Sequence, residues 1–130
     1  MTSLVLDSGG LSRLAESGRR RQSAELIDFL MQGSTWPPIV PTVVLAESLS
    51  GRPQTDAAVN RLLKSCTVVE EVSEPLARRA GVLRAFARRG SAVDALVVAT
   101  AEPGGTVLTG DIDDLSALAD YADNVTVTRV

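Results

Sequence analysis

The chain alternates short runs of branched apolar residues with stretches of helical spacing, and that alternation restricts its architecture more than any other feature. The runs "SLVLD" (3–7), "PIVPT" (38–42), "CTVVEEV" (66–72), "TVLTG" (106–110) and "VTVTR" (125–129) read as strands. Leu11, Leu14 and Ala15 begin a helix after Gly9–Gly10. Beyond a break at Gly18–Arg21, a second helix carries Leu26, Ile27, Leu30 and Met31 and stops before Gly33. Thr42 is the expected N-cap of "VVLAESLSG", and a further helix runs from about Asp56 to Lys64. Ser73 caps a helix whose Leu76, Ala80, Leu83 and Ala87 form one stripe, ended by Gly90. "SAVDALVVATA" (91–101) and a helix from about Asp111 to Tyr121 complete the set. Strands joined by helices pair in parallel, and the helices then cover both faces of the sheet. At 130 residues the chain reads as one domain, 1–130, whose core of Val, Leu, Ile and Ala needs few aromatic residues.

Several chemistries are excluded by what is missing. The sequence contains no histidine, so Ser-His-Asp and Cys-His hydrolases, His-ligated zinc and His acid/base nucleases cannot be built within the chain. Cys66 is the single cysteine, which forbids an internal disulfide and fits a reducing cytoplasm. The opening "MTSLVLDSGG" lacks a basic leader and is interrupted by Asp7; no run approaches the roughly 20 apolar residues of a membrane span, so no membrane partner is expected. Net charge is -3, yet twelve of the 13 basic residues are arginine, with runs at Arg19–Arg21, Arg78–Arg79 and Arg88–Arg89. Such runs serve either as solvated helix faces or as partners for phosphate and carboxylate.

Four acids stand apart because of where the alternation puts them. Asp7 ends the first strand, Glu47 lies one turn into an apolar helix, Asp94 interrupts "SAVDALVVATA", and Asp111 follows "TVLTG". Ligands of open α/β sheets bind beyond the carboxyl ends of the strands, where these acids can meet. Helix capping is the competing reading: Asp7 and Asp111 precede helices, and Asp94 stands three residues after Ser91. Glu47 has Val43 and Val44 at i−4 and i−3, which predicts a carboxylate facing the interior or a pocket. Four converging carboxylates repel one another unless a cation neutralises them, and Mg²⁺ or Mn²⁺ suits an all-oxygen donor set. A metal-activated water at such a site hydrolyses phosphodiesters without histidine.

These motifs, "LVLDSGGLSRL", "PTVVLAESLSG", "SAVDALVVATA" and "TVLTGDIDDLSAL", in this order and spanning the chain, resemble the PIN-domain ribonucleases, and among them the small VapC-type toxins of bacterial toxin–antitoxin pairs. The resemblance implies a PIN-like three-layer α/β/α sandwich with a central five-stranded parallel sheet. It implies Mg²⁺- or Mn²⁺-dependent endonucleolytic cleavage of RNA, such as transfer or ribosomal RNA. Carried across, Asp7 and Asp94 are direct metal ligands, and Glu47 and Asp111 complete the quartet and orient the attacking hydroxide. Thr109 is a supporting hydroxyl and Asp114 assists at the rim. A cognate VapB-type antitoxin and a homodimer that pairs two acidic pockets are the implied partners. Relatives commonly carry an aromatic residue where this chain has Leu115. Two other readings stand beside this one. A phosphoacceptor signalling domain also places acids at strand ends but calls for a lysine near the last strand, and the only lysine here is Lys64. A noncatalytic PIN-like binding module is the other.

Overall fold

Leu4, Val5 and Leu6 are buried on both sides of the first strand, which is the signature of a strand inside a covered sheet. Burial of each contributes about 2 kcal/mol. The computed structural model describes residues 3–16 and 21–130, without the side chains of residues 21–24, 26 and 27. Residues 18–20 of the expected Gly18–Arg21 break, and the Leu26 and Ile27 side chains, therefore lie outside the described residues, while the backbone of Arg21 already belongs to the second helix.

The elements are β1 (Leu4–Leu6), α1 (Ser8–Glu16), α2 (Arg21–Gln32), β2 (Ile39–Pro41), α3 (Thr42–Ser48) and α4 (Pro53–Leu63), followed by β3 (Thr67–Val69), α5 (Glu74–Ala87), α6 (Ala92–Ala101), β4 (Thr106–Thr109), α7 (Ile112–Ala119) and β5 (Thr126–Arg129). All five strands are parallel, in the order β3-β2-β1-β4-β5. The expected five-stranded parallel α/β sheet is therefore present. α1 packs on α3 and α4, whereas α5, α6 and α7 pack on one another, and α6 also touches β1, β2 and β4. Right-handed crossovers put these two helix groups on opposite faces, because the chain winds one way from β1 to β3 and the other way from β4 to β5. Leu115 is buried beside Leu118, so leucine fills the space under α7 without an aromatic ring. Among the described residues no helix is long and apolar enough to cross a membrane.

Three expected boundaries move, each for a local reason. Thr42 is the first residue of α3 and not its cap: Pro41, extended at φ −63°, precedes the helix, and the Thr42 hydroxyl donates to the Glu70 carbonyl at 3.4 Å. α4 starts at Pro53, whose fixed φ suits a first helical position. Asp56 does not begin that helix; its buried carboxylate turns back to accept from the Ser50 N–H, the Ser50 hydroxyl and the Gly51 N–H. These bonds hold its carboxyl below the usual range, those to Ser50 foremost. α5 ends at Ala87 with Arg88 left-handed at φ 54°, two residues before the expected Gly90. The capping of α5 by Ser73 is as expected, with the Leu76 N–H donating to its hydroxyl at 3.2 Å.

The glycine pair after β1 sets how closely α1 approaches the sheet. A Cβ added at Gly10 would lie 2.1 Å from the Leu108 carbonyl oxygen, and one at Gly9 would lie 2.9 Å from the Gly110 nitrogen. Gly10→Ala is expected to push α1 off β4 and destabilise the fold by about 3 kcal/mol, read as a lowered denaturant midpoint.

Candidate functional site

The strand order reverses direction between β1 and β4, and in open parallel sheets the crevice for ligands opens at the carboxyl ends of such a pair. Val5 pairs with Val107 and Leu6 with Leu108, so the next step along both strands sets Asp7 against Thr109. Asp7 is buried there. Its Oδ1 accepts from the Gly10 N–H at 2.6 Å, and its Oδ2 accepts from the Thr109 hydroxyl at 2.5 Å. The first of these is also the N-cap bond of α1, so capping and site-building are one interaction.

Thr109 has three polar neighbours and one proton. Its oxygen accepts from the Asp111 N–H at 3.0 Å and stands 2.9 Å from the Asp111 carbonyl, as well as against Asp7. With Asp7 ionised, the proton belongs to the short bond to Asp7, since a carboxylate is the stronger acceptor. The hydroxyl thereby ties the end of β1 to the turn that leads into α7.

Asp94 is the third residue of α6 and closes a reciprocal cap: its N–H donates to the Ser91 hydroxyl, and its Oδ2 accepts from the Ser91 N–H, both at 3.0 Å. Asp111 caps α7 by accepting from the Asp113 N–H at 3.3 Å and is exposed. Three acids from distant parts of the sequence thus stand at helix N-termini, where the dipole favours negative charge. The capping reading is realised for all three, and Asp94 and Asp111 lie near enough to Asp7 for their charges to act on it. Asp7 is pushed above its ordinary carboxyl value, chiefly by burial, and the charges of Asp94 and Asp111 add to the rise while the bonds from Thr109 and Gly10 oppose it.

The remaining expected residues sit differently. Glu47 is exposed, against the expectation of an inward-facing carboxylate. Val44 beside it is fully buried and Leu45 and Leu49 pack against the core, but Glu47 lies on the solvent side of the last turn of α3, which stops one residue later. Asp114 is half-buried and accepts from Arg89 Nε at 3.0 Å. Among the described residues no three acidic side chains form a group tight enough to enclose a metal ion. Cys66 is half-buried, and burial pushes its thiol up to about 11, so it stays protonated near neutral pH. Two contributors escaped the sequence reading. Gly10 supplies an N–H to Asp7, and "DSGG" was the signal for it. The pairing of Arg89 with Asp114 crosses from α5 to α7 and has no local signal.

No protein-family model and no curated protein matches the sequence. Solved structures do. VapBC2 from Rickettsia felis bound to a DNA fragment from its promoter is similar over 98% of this chain and 98% of the other, with TM-score 0.72 and 16% identity. DNA-bound VapBC from Salmonella typhimurium covers 99% of this chain and 98% of its own, at TM-score 0.70 and 16% identity. FitAcB from Neisseria gonorrhoeae follows at 0.59 and 18%, over 95% of each chain. At these identities the likeness establishes a shared fold over essentially the whole chain.

The Asp7 environment has a measurable signature. A carboxyl raised in the folded state binds its proton at higher pH than in the unfolded chain, so its charge destabilises the fold above the folded-state value. That penalty disappears as pH falls toward the unfolded value near ~4. In Asp7→Asn, Oδ1 still accepts from Gly10, and the amide donates to Thr109, whose proton turns to the Asp111 carbonyl. Asp7→Asn is therefore expected to melt at higher temperature than the wild type at pH 7 in EDTA, with the gap closing toward pH 4, as followed by circular dichroism.

Proposed function

We propose that this chain is a divalent-cation-dependent endoribonuclease of the VapC type and the toxin of a toxin–antitoxin pair. The observation that carries this reading is the placement of Asp7, Asp94 and Asp111 at one edge of the sheet, with Asp7 buried and disfavoured by the other two charges. Among the described residues no guanidinium figures in the influences on Asp7, which favours a cation supplied from solution. The fold shared with VapBC and FitAB chains supports the toxin role, and it supports a VapB- or FitA-type antitoxin as partner. A second copy of the chain is the other protein partner of this reading; Phe86 and Tyr121 stack in the open, with ring centroids 5.7 Å apart, and with Val82 give it apolar surface to cover.

The donor set fits Mg²⁺ or Mn²⁺. These ions take oxygen ligands and retain waters, and one or two carboxylates suffice to hold them. Asp7 and Asp94 would hold the ion, joined directly or through water by Asp111 and Glu47. The chemistry supplied by the ion is Lewis acidity toward water and the phosphodiester oxygens. The protein's part is positional. Thr109 and Gly10 fix both oxygens of Asp7, Ser91 fixes one oxygen of Asp94 and leaves Oδ1 free, and the cap of α7 orients Asp111. Glu47, exposed and without a hydrogen-bond partner among the described residues, is free to turn toward an entering water and orient it.

The expected outcome is internal cleavage of RNA in Mg²⁺ or Mn²⁺ that EDTA stops. Asp94→Asn should lower the rate by about 100-fold or more, as expected on removal of a transition-state electrostatic contact. Undiminished cleavage by that variant would refute the assignment. Independently of activity, Mn²⁺ should raise the melting temperature of the wild type and leave that of Asp7→Asn unchanged.

A further inference from the structure

An open depression of about 420 Å³ lies at the carboxyl end of α5, lined by Gly81, Arg84, Ala85, Arg88, Arg89 and Gly90. Nothing in the preceding reading uses it. Gly81 and Ala85 stand one helical turn apart and keep its floor low, while three guanidinium-bearing residues ring it. Among the described residues neither Arg84 nor Arg88 has an ion-pair partner, and Arg89 engages Asp114 through Nε. A cation near a helix C-terminus is ordinary, because it complements the dipole. That accounts for one arginine, not for three around a common hollow. Arg88 is moreover held in the left-handed region at φ 54°, a conformation uncommon for a residue with a long side chain.

The hollow adjoins the acidic edge. A Cβ added at Gly90 would lie 3.6 Å from the Asp94 Cβ, and Arg89 reaches Asp114 in the first turn of the helix that Asp111 caps. A positive depression thus abuts Asp94, one of the acids proposed to bind metal, and the helix that Asp111 caps. The polymer that such an arrangement suits carries regularly spaced anions, one at the acids through a cation and the next few along the chain at the guanidiniums. We propose that Arg84, Arg88 and Arg89 form a phosphate-binding subsite that holds the RNA backbone one or a few nucleotides away from the cleaved bond. The proposal rests on the endoribonuclease reading. Arginine forks suit phosphate oxygens, and an overall charge of -3 makes a local positive hollow the means of attracting a polyanion.

The test is binding of a fluorescent single-stranded oligoribonucleotide to the full chain in EDTA, where cleavage is off. Arg84→Gln/Arg88→Gln is expected to weaken binding about tenfold and to reduce the slope of log affinity against log salt by about 1.4, the loss of two phosphate contacts. Arg84→Lys/Arg88→Lys should recover most of the slope and part of the affinity, which also separates a charge effect from misfolding. Arg78→Gln removes one charge from the same helix where Arg78 already pairs with Glu74, and should bind as the wild type does. Unchanged affinity and slope in Arg84→Gln/Arg88→Gln would overturn the subsite while leaving the nuclease assignment standing. A wild type that neither binds nor cuts RNA would overturn both. Loss of binding to poly-glutamate with RNA affinity intact would assign the hollow to an acidic protein segment and overturn the proposal.

Discussion

The charge of Asp7 is the constraint around which the carboxyl edge of the sheet is arranged. A carboxylate buried between β1 and β4 pays for its lost hydration, and every local feature reduces that penalty without abolishing it. The Thr109 hydroxyl and the Gly10 N–H each occupy one oxygen, and the first turn of α1 presents its positive end. The absence of a side chain at Gly9 and Gly10 lets that turn come close enough to do so. Among the described residues Asp7 has no countercharge. Arg13 packs over Gly110 but donates to the Val130 carbonyl at 3.0 Å, and Arg89 and Arg79 are engaged by Asp114 and Glu102. Among the described residues no guanidinium pairs with the site, the condition under which the proposed cation would be favoured there.

The parts of this architecture that follow from local pattern were legible in the sequence. Five branched apolar runs separated by helical stripes give the parallel sheet, and Ser73 and Ser91 announce the helices they cap. The position of Asp7, Asp94 and Asp111 at helix starts was equally legible, because a cap is read within three or four residues. Their convergence depends on strand order and needed the topological rule about carboxyl ends. Sequence pattern misjudged Glu47, since neighbouring valines report burial only while a helix continues, and α3 ends immediately afterwards. It also misjudged Asp56, whose partners lie five and six residues back in the loop it secures and not in the helix it was taken to begin.

The arginines divide into two kinds that composition alone does not distinguish. Arg79 makes paired bonds of 2.8 and 2.7 Å to Glu102, which in turn accepts from the Asp123 N–H, so this cluster joins α5 to the end of α6 and the approach to β5. Arg78 pairs along its own helix with Glu74, a contact worth little because both side chains are largely solvated. Arg84 and Arg88, one turn further along, have no such engagement. A run of like residues on one helix therefore changes from fastening the fold to facing outward within three turns.

The double employment proposed for the acids bears on how a lineage built on this fold would lose the proposed chemistry. Asp94 and Asp111 each cap a helix, so selection for folding would retain them after selection for cleavage had lapsed, whereas the buried charge of Asp7 costs the fold stability and would be released. Glu47 has no hydrogen-bond partner among the described residues, and its drift would cost the fold nothing. Among descendants Asp94 and Asp111 would therefore say little about whether a copy still cuts. Asp7 and the glutamate are the positions at which a decayed copy would first betray itself.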